Sequence, residues 1–283
     1  MKFSIIIVSW NVRKALRENL LSLPHDADAE VVIVDNASQD GSAEMVQEEF
    51  PQYELIRNTG NLGFAKACNQ GLAKATGEYL ILLNPDMKIF PETLPALAAW
   101  LTKNPQADVT GISLRDSEGQ VMLHVRRFPH CIDQLAIVLK IPHFFPHILD
   151  SYLRSDFNYN LAQKVDSIRG AFFAIKRSAY EKYGGLDERY FIWFEEVDYC
   201  RTIAAGGGQV WYTPAASAID FVGQSFKQLN ITTKQNYFKN SMLTYFKKWH
   251  PWWQKELLAL AWDFSELLVQ LASYLNIKPR TRT

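Results

Sequence analysis

The sequence predicts an α/β fold of the GT-A, or Rossmann-like, kind with a mainly parallel sheet and flanking helices. Two observations carry this prediction. Short apolar runs alternate with amphipathic helical stretches through the first 112 residues, which is typical of a doubly wound sheet. These runs are apolar without alternation, as expected for parallel strands that are buried on both faces. A chain of 283 residues is long enough for one large domain with an appendage.

Five strands and four helices are expected in this first part. The predicted strands cover residues 3–9, 31–34, 53–57, 79–83 and 108–112. The predicted helices cover residues 12–23, 42–50, 64–75 and 91–103.

The pattern weakens between residues 113 and 166. The run Asp116-Ser117-Glu118-Gly119 predicts a hairpin turn, and residues 141–148 predict a surface excursion. Regular structure returns with a predicted strand at 171–175 and helices at 177–183 and 195–205. No internal repeat is present.

Composition and charge exclude several classes of protein. Hydrophobic residues make up 48% and charged residues 21%, which favours a packed globular protein over a disordered one. Lys+Arg and Asp+Glu both number 30, so no global charge favours nucleic acid as a partner. The cysteines Cys68, Cys131 and Cys200 are widely spaced and form no CxxC pair, which predicts reduced thiols and a cytoplasmic setting.

The apolar runs are too short for a signal peptide or a spanning helix. The N-terminal run has seven or so residues and no cleavage site after it. No stretch approaches the ~20 apolar residues that a spanning helix needs. We therefore expect a soluble protein, or one held at the inner face of the cytoplasmic membrane.

Polar residues follow the predicted strands where those strands end. They are Ser9, Asn11, Asp35, Asn84 and Asp86, and the loop after the third strand adds Asn61 and Gly63. Any one of them is explained by local turn chemistry. Together at one sheet edge they favour a ligand cleft, because ligands of parallel sheets bind beyond the carboxyl ends of the strands.

This cleft has neither a GxGxxG motif nor a GxxxxGK[ST] phosphate loop, which excludes the usual dinucleotide and triphosphate sites. A nucleotide would instead be held by side chains, with Asp35 accepting hydrogen bonds from the base or ribose. Asp86 is a candidate ligand for Mg²⁺ or Mn²⁺, which prefer oxygen donors.

Three carboxylates follow a run of aromatic residues further along the chain. Glu195, Glu196 and Asp198 come directly after residues 191–194, Phe-Ile-Trp-Phe. A solvated acidic first turn of a helix would also explain them, because the helix dipole favours it. The aromatic flank fits a cleft wall better, and crowded carboxylates raise at least one pKa. All three are therefore candidate catalytic residues.

These motifs together resemble family 2 glycosyltransferases with the GT-A fold, and most closely their rhamnosyltransferase-like bacterial branch. The resemblance runs from residue 3 to about 250, with the motifs in the family's order and spacing. The matching stretches are residues 5–11 (IIIVSWN), 34–42 (VDNASQDGS), 58–65 (NTGNLGFA), 83–86 (LNPD), 170–173 (GAFF), 184–191 (GGLDERYF) and the acidic cluster.

The resemblance implies a role for each site residue. Asp35 would contact the donor base or ribose, and Asn61 and Gly63 would shape the nucleotide pocket. Asn84-Pro85-Asp86 stands at the family's Asp-X-Asp metal motif, so Asp86 would hold the metal. Glu196 matches the general base, which is more often Asp in the family.

A second departure from the family concerns the metal. Relatives commonly carry a metal-binding His before a Gly-X-Ser motif, where this chain has Asp220 before Gly223-Gln224-Ser225. Asp220 is an oxygen donor, so metal binding can persist, or it can have lapsed and left a weakened enzyme.

The resemblance also divides the chain. Residues 1–225 would form the catalytic domain, with a nucleotide-binding half (1–112) and an acceptor and catalytic half (113–225). Residues 226–283 would form a basic, aromatic helical extension. Residues 222–255 contain no Asp or Glu, and an amphipathic helix follows. Such a segment suits an anionic membrane surface, or packing on the catalytic domain or on a second subunit as a homodimer.

The sequence therefore predicts a metal-dependent, inverting transferase of cell-surface polysaccharide synthesis. It would move a sugar such as rhamnose from a dTDP- or UDP-sugar to a glycan or lipid-linked acceptor, with acceptor contacts from residues 113–166.

Three alternatives are weighed against this function. A non-catalytic relative that binds sugar nucleotide or glycan is motivated by Asp220 and Glu196. A nucleotidyltransferase is disfavoured because no Gly/Arg/Lys-rich loop follows the first strand. Glycoside hydrolysis by paired carboxylates gives no role to the nucleotide-like cleft.

Overall fold

The structure is a computed structural model that describes residues 2–24, 29–223 and 228–274. Within these ranges the chain forms nine strands and ten helices, with two short 3₁₀ turns at Ile141–His143 and Pro146–Leu149. The strands are β1 (Phe3–Ser9), β2 (Ala29–Asp35), β3 (Glu54–Arg57), β4 (Tyr79–Leu83), β5 (Met87–Ile89), β6 (Val109–Arg115), β7 (Gln163–Lys164), β8 (Phe172–Lys176) and β9 (Val210–Asp220). The helices are α1 (Arg13–Ser22), α2 (Ser42–Glu49), α3 (Phe64–Lys74), α4 (Thr93–Lys103), α5 (Cys131–Val138), α6 (Asp150–Leu153), α7 (Arg177–Tyr183), α8 (Glu195–Ala205), α9 (Ile231–Trp249) and α10 (Trp252–Tyr274).

All nine strands belong to one sheet, with the order β3-β2-β1-β4-β8-β6-β9-β5 and with β7 paired to β9. The first four strands are parallel, and their register brings Ser9 beside Asp35 and Asp35 beside Arg57. Strand β8 runs antiparallel between β4 and β6 and joins the second half of the chain to the first. The predicted α/β class is confirmed, and the polar strand ends of β1, β2 and β4 do share one edge.

Two apolar cores lie on the two faces of this sheet. One includes residues of α1, α2 and α4, and the other includes residues of α3, α7 and α8. Burial on both faces explains the uninterrupted apolar runs of β1, β2 and β4. The three cysteines are free thiols, as the sequence predicts.

Strand β9 is the largest element that the sequence pattern misses. It contains Pro214 and several alanines, which are weak strand formers. Its parallel register with β6 shifts between Ile112 and Ser113, so the pairing is interrupted near that proline. The predicted hairpin turn does form, because the Gly119 amide donates to the Asp116 carbonyl at 3.0 Å.

A third core joins the C-terminal helices to the rest of the molecule. Helices α9 and α10 pack against each other, and α10 packs along α5. Met242, Tyr245, Phe246 and Leu258 are fully buried there, together with Tyr190 and Phe194 of the aromatic segment. Searched over its described residues, the chain contains no helix with the length and apolarity needed to cross a bilayer. Residues 275–283 of the predicted extension lie outside the described residues.

Candidate active site

A cavity of about 650 Å³ opens where strands β1, β2 and β4 end. Residues from both halves of the chain and from the C-terminal extension line it. A smaller cavity of about 340 Å³ lies at the opposite ends of β2 and β3 and holds no predicted site residue. The larger cavity is therefore the candidate active site.

The first half supplies a wall of amide side chains. Asn36, Asn61 and Asn84 all line the cavity. The Asn36 amide donates to the Asn61 side-chain oxygen at 2.8 Å, and the Leu62 backbone donates to Asn36 Oδ1 at 3.0 Å. Asn36 belongs to the polar end of the second strand, but the sequence pattern predicts the binding role for Asp35 beside it. Side chains alternate at a strand end, and it is Asn36 that lines the cavity.

Asp35, Ser9 and Asn11 lie immediately behind this wall. Asp35 Oδ2 accepts the Ser38 amide at 3.0 Å, and the Asn11 amide donates to the Ser38 hydroxyl at 2.9 Å. Asp35 Oδ1 and the Ser9 hydroxyl are buried without a hydrogen-bond partner. Such a carboxylate oxygen is costly in isolation, so Asp35 Oδ1 favours an additional N–H or O–H partner, although Asp35 itself does not line the cavity.

Gly63 brings the third loop against the opposite wall of the cavity. It has a left-handed backbone (φ 87°), and a side chain there would come within 2.7 Å of the Phe191 carbonyl oxygen. The neighbouring Phe64 amide donates to that same oxygen at 2.6 Å. A glycine is therefore required at position 63, because the backbone there approaches the backbone of Phe191 closely.

The second half supplies the carboxylates Glu195 and Glu196 at the start of α8. Both line the cavity beside Arg169 and Gly170, and one oxygen of each carboxylate is buried without a hydrogen bond. Burial raises the pKa of Glu196. Burial and the neighbouring Glu196 charge raise the pKa of Glu195 well above its usual value. Two neighbouring carboxylates in a shielded site suit a general base.

Asp86 lies directly before β5, and Asp220 is the last residue of the adjacent strand β9, at the same end of the cleft. Asp220 pairs in register with Met87, and the Phe221 amide donates to the Asp86 carbonyl at 3.1 Å. Asp86 lines the cavity, whereas Asp220 is buried next to it. Burial raises the pKa of Asp220, and the negative charge of Asp86 acts in the same direction.

These two carboxylates fit a hard divalent cation in charge and donor type. Asp220 Oδ2 is buried and accepts no hydrogen bond, although the Arg169 guanidinium lies 3.3 Å from it. Across residues 2–24, 29–223 and 228–274, no cluster of three His, Cys, Asp or Glu side chains is positioned for a metal. Substrate or water would have to complete the coordination. Gln224 and Ser225 of the Gly-X-Ser motif lie outside the described residues.

Asp198 is not brought into the cavity. Its carboxylate accepts hydrogen bonds from Lys248 Nζ at 2.7 Å, from Trp249 Nε1 at 2.6 Å and from the Tyr190 hydroxyl at 3.1 Å. Two residues along a helix turn by about 200°, so Glu196 and Asp198 face different sides of α8. Asp198 therefore links α8 to α9 through these hydrogen bonds.

Helix α9 forms part of the cavity wall. Tyr237 lines the cavity and stacks on Phe191, with ring centroids 4.5 Å apart. The Ser241 hydroxyl donates to the Ile192 carbonyl at 2.7 Å. Among the described residues, the walls of this cavity include none from 113–166, and the acceptor contacts expected from that stretch stay a prediction. No periodicity in the sequence indicates which face of α9 meets the site.

Strained backbone links the aromatic wall to the carboxylates. Trp193 and Phe194 both have left-handed φ values, 63° and 69°, directly before Glu195. Bulky residues rarely adopt this conformation, which persists only where the surroundings fix it. Phe238 of α9 packs against both rings. Helix α9 therefore holds the turn that aims α8 at the cleft.

A sequence model described as Glycosyl transferase family 2 matches residues 4–184, well over half of the chain. The chain belongs to glycosyltransferase family 2. This confirms the resemblance that the motifs indicate. The enzyme class of the chain is therefore glycosyltransferase.

Among curated relatives, this glycosyltransferase is 24% identical over 248 residues to an N-acetylglucosaminyl-diphospho-decaprenol L-rhamnosyltransferase of Mycobacterium tuberculosis, covering 84% of this chain and 81% of that protein. It is 24% identical over 225 residues to the rhamnosyltransferase WbbL of Escherichia coli, covering 77% and 82%.

Solved glycosyltransferases share the fold. A Pyrobaculum calidifontis mannosyltransferase aligns with a TM-score of 0.58 at 20% identity, over 96% of this chain and 75% of that one. Staphylococcus aureus TarS aligns with a TM-score of 0.59 at 17% identity, over 98% and 76%. At these identities the likeness concerns the fold alone.

The glycosyltransferase cleft thus gathers most of the predicted site residues. Those that line the cavity are Asn61, Asn84, Asp86, Glu195 and Glu196. Those that stand directly behind its walls are Ser9, Asn11, Asp35, Gly63 and Asp220.

Proposed function

We propose that this chain is an inverting, metal-dependent glycosyltransferase that moves a deoxyhexose such as rhamnose from a dTDP- or UDP-sugar. The acceptor would be a glycan or a lipid-linked saccharide in cell-surface polysaccharide synthesis, at the cytoplasmic side of the membrane. The observation that carries the proposal is that Asp86 and Glu196, far apart in the chain, line one cavity. Two relatives named as rhamnosyltransferases, matched over most of their length, support the choice of sugar.

Glu196 is the proposed general base. It takes the proton of the acceptor hydroxyl as that oxygen bonds to the anomeric carbon and the bond from this carbon to the diphosphate oxygen breaks. A raised pKa makes the ionised carboxylate a stronger base, provided that the pH exceeds that pKa. Attack from the face opposite the leaving group inverts the anomeric configuration.

Three charged groups would act on the leaving diphosphate, two of them through a metal ion. Asp86 and Asp220 would hold Mg²⁺ or Mn²⁺, which would offset the negative charge that develops on the diphosphate. Arg169 adds a positive charge from the chain itself at the same place. Structural neighbours support the metal: the mannosyltransferase was solved with GDP-Man and Mn²⁺, and a GalNAc-transferase was solved with UDP, GalNAc and Mn²⁺.

The amide wall is the proposed nucleotide site. Asp35 Oδ1 would accept a hydrogen bond from the base or ribose, and Asn36, Asn61 and Asn84 offer further donors and acceptors. TarS was solved with UDP-GlcNAc and with UDP, which supports a nucleotide-sugar donor in this fold.

A panel of nucleotide sugars tests the proposal. Thermal unfolding is measured with each donor, with and without Mn²⁺, and product release is assayed for the donors that bind. We expect one deoxysugar donor to raise the melting temperature in a metal-dependent way, and Asp86→Asn to abolish that shift. Absence of any donor-dependent shift across the panel would refute the proposal.

One observation favours a second candidate, a relative that binds the sugar nucleotide without efficient transfer. The Arg169 guanidinium lies 3.3 Å from Asp220, where a metal would otherwise compete for this carboxylate. This candidate predicts a donor-induced shift that is independent of Mn²⁺, together with no product in any assay.

A further inference from the structure

Two segments of the described chain carry most of its strongly exposed large apolar side chains. One is the outer face of α10, and the other is the turn at residues 144–148 next to α5. Such an apolar concentration on one part of a surface marks an interaction site more often than scattered residues do.

Helix α10 has two apolar faces. Leu258, Ala261 and Trp262 are buried against the third core. A separate stripe is exposed and unpartnered in the described chain, with residues spaced four, three, four and three apart: Trp253, Leu257, Leu260, Phe264 and Leu267. Fold stability explains the first face only.

The second segment projects two phenylalanines between two prolines. Phe144 and Phe145 are 79% and 65% exposed, and they lie between Pro142 and Pro146. The turn packs on α5, and α5 packs along α10, with the Cys131 thiol 4.0 Å from the Gln254 carbonyl. The two exposed sets therefore belong to neighbouring elements.

Two exposed lysines beside these segments favour an anionic partner. The acidic residues of α10 are paired: Asp263 and Glu266 each lie 3.0 Å from Lys239, and Glu256 lies 2.8 Å from Lys255. Lys140, before the phenylalanine turn, and Lys247, before Trp252, are exposed and form no ion pair in the described part of the chain.

We propose that the α10 stripe and the Phe144–Phe145 turn together form a docking surface for an anionic phospholipid bilayer. Trp and Phe side chains would enter the interface, while Lys140 and Lys247 contact lipid headgroups. The role of this docking surface rests on the proposed function. A lipid-linked acceptor would be presented beside α9, the helix that carries Tyr237 of the cleft. A second copy seated along the stripe would leave Phe144 and Phe145 uncovered.

Co-sedimentation of the full chain with vesicles tests this surface without donor or acceptor. The probes are vesicles of phosphatidylethanolamine with phosphatidylglycerol, and vesicles of phosphatidylcholine alone. We expect binding to the anionic vesicles that falls about tenfold in Phe144→Ser/Phe145→Ser and in Leu260→Ser/Phe264→Ser. Lys140→Glu/Lys247→Glu should weaken the anionic binding and its salt dependence. Leu21→Ser, at a 52% exposed site on α1, is the matched control and should bind like the parent chain.

Circular dichroism shows that each variant is folded, and light scattering reports its oligomeric state. Failure of the parent chain to bind anionic vesicles would overturn the proposal, as would binding by either serine variant that equals the binding of the parent chain. A dimer of the parent chain that Leu260→Ser/Phe264→Ser dissociates would assign the stripe to a second copy instead. If the parent chain does not bind anionic vesicles but still shows the donor-induced thermal shift, this surface is refuted and the proposed function stands.

Discussion

The two walls of the cleft are built in different ways. The nucleotide wall consists of loops at the ends of parallel strands, and neighbouring loops hold one another through side-chain amides such as Asn36 and Asn61. The opposite wall is a strained aromatic segment, Trp193 and Phe194, which helix α9 holds from about 40 to 50 residues further along the chain. The first wall follows from local sequence, and the second depends on a distant helix.

Breaking the tie between α8 and α9 should have the largest effect on stability. Asp198→Ala leaves Lys248 without its buried partner, and we expect the free energy of unfolding to fall by about 3 kcal/mol. Urea denaturation measures this loss. The matched control is Asp187→Asn, whose carboxylate also contacts Lys248 but is more exposed, and it should cost clearly less. Equal losses in both variants would show that Asp198 does not tie the aromatic wall to α9.

Separating the two walls of the cleft should have the second largest effect on stability. In Gly63→Ala the new methyl group meets the Phe191 carbonyl in a left-handed backbone, so we expect a loss of about 2 kcal/mol and a weaker donor-induced thermal shift. Gly60→Ala is the control in the same loop, because no atom lies within 4 Å of the added group and its φ is not left-handed. Equal losses of stability in Gly63→Ala and Gly60→Ala would show that the close approach of Gly63 to Phe191 does not hold the two walls together.

The nucleotide half has its own acid-sensitive tie. Burial opposes the charge of Glu30, but hydrogen bonds from Ser4, Thr76 and Lys2 outweigh it and lower the pKa to about 2. The stabilisation is present above pH about 4.5 and is lost as the pH falls through about 2. We expect Glu30→Gln to cost about 2 kcal/mol at pH 7, after allowance for solvent screening, and much less in strong acid. A cost that stays constant between these pH values would contradict this.

The smallest expected effect is at the aromatic platform. Tyr237→Ala removes the ring stacked on Phe191 and should destabilise the fold by about 1 kcal/mol, while Tyr237→Phe keeps the stack and should be near neutral. The donor-induced thermal shift should survive in both variants, because the amide wall is untouched. A lost shift in Tyr237→Phe would place its hydroxyl in donor binding.

The difference between the walls also explains what the sequence could predict. Most strands and helices of the first 112 residues follow from apolar periodicity, because each element packs on its neighbours in the chain. The exception is β5, a strand of three residues that the sequence pattern misses. The residues at its strand ends were found because parallel strands place their carboxyl ends at one edge.

The second wall could not be predicted in the same way. Tyr237 and Ser241 contact the site through tertiary packing, which leaves no local pattern. Asp198 was grouped with Glu195 and Glu196 because the three are close in sequence, yet the turn of α8 sends its carboxylate to Lys248. Strand β9 was missed because it contains Pro214 and a register shift that weaken the strand pattern.

The central claim is that Glu196 faces the same pocket as Asp86 and acts there as the base. The most direct test measures the turnover and the donor affinity of Glu196→Gln. The control is Glu181→Gln, at an exposed position of α7. We expect the variant to lose turnover by about 10² to 10⁴, while the donor-induced thermal shift persists. The parent chain should lose activity as the pH falls through a pKa above the usual glutamate value, since burial raises that of Glu196. Normal turnover in Glu196→Gln would contradict the account.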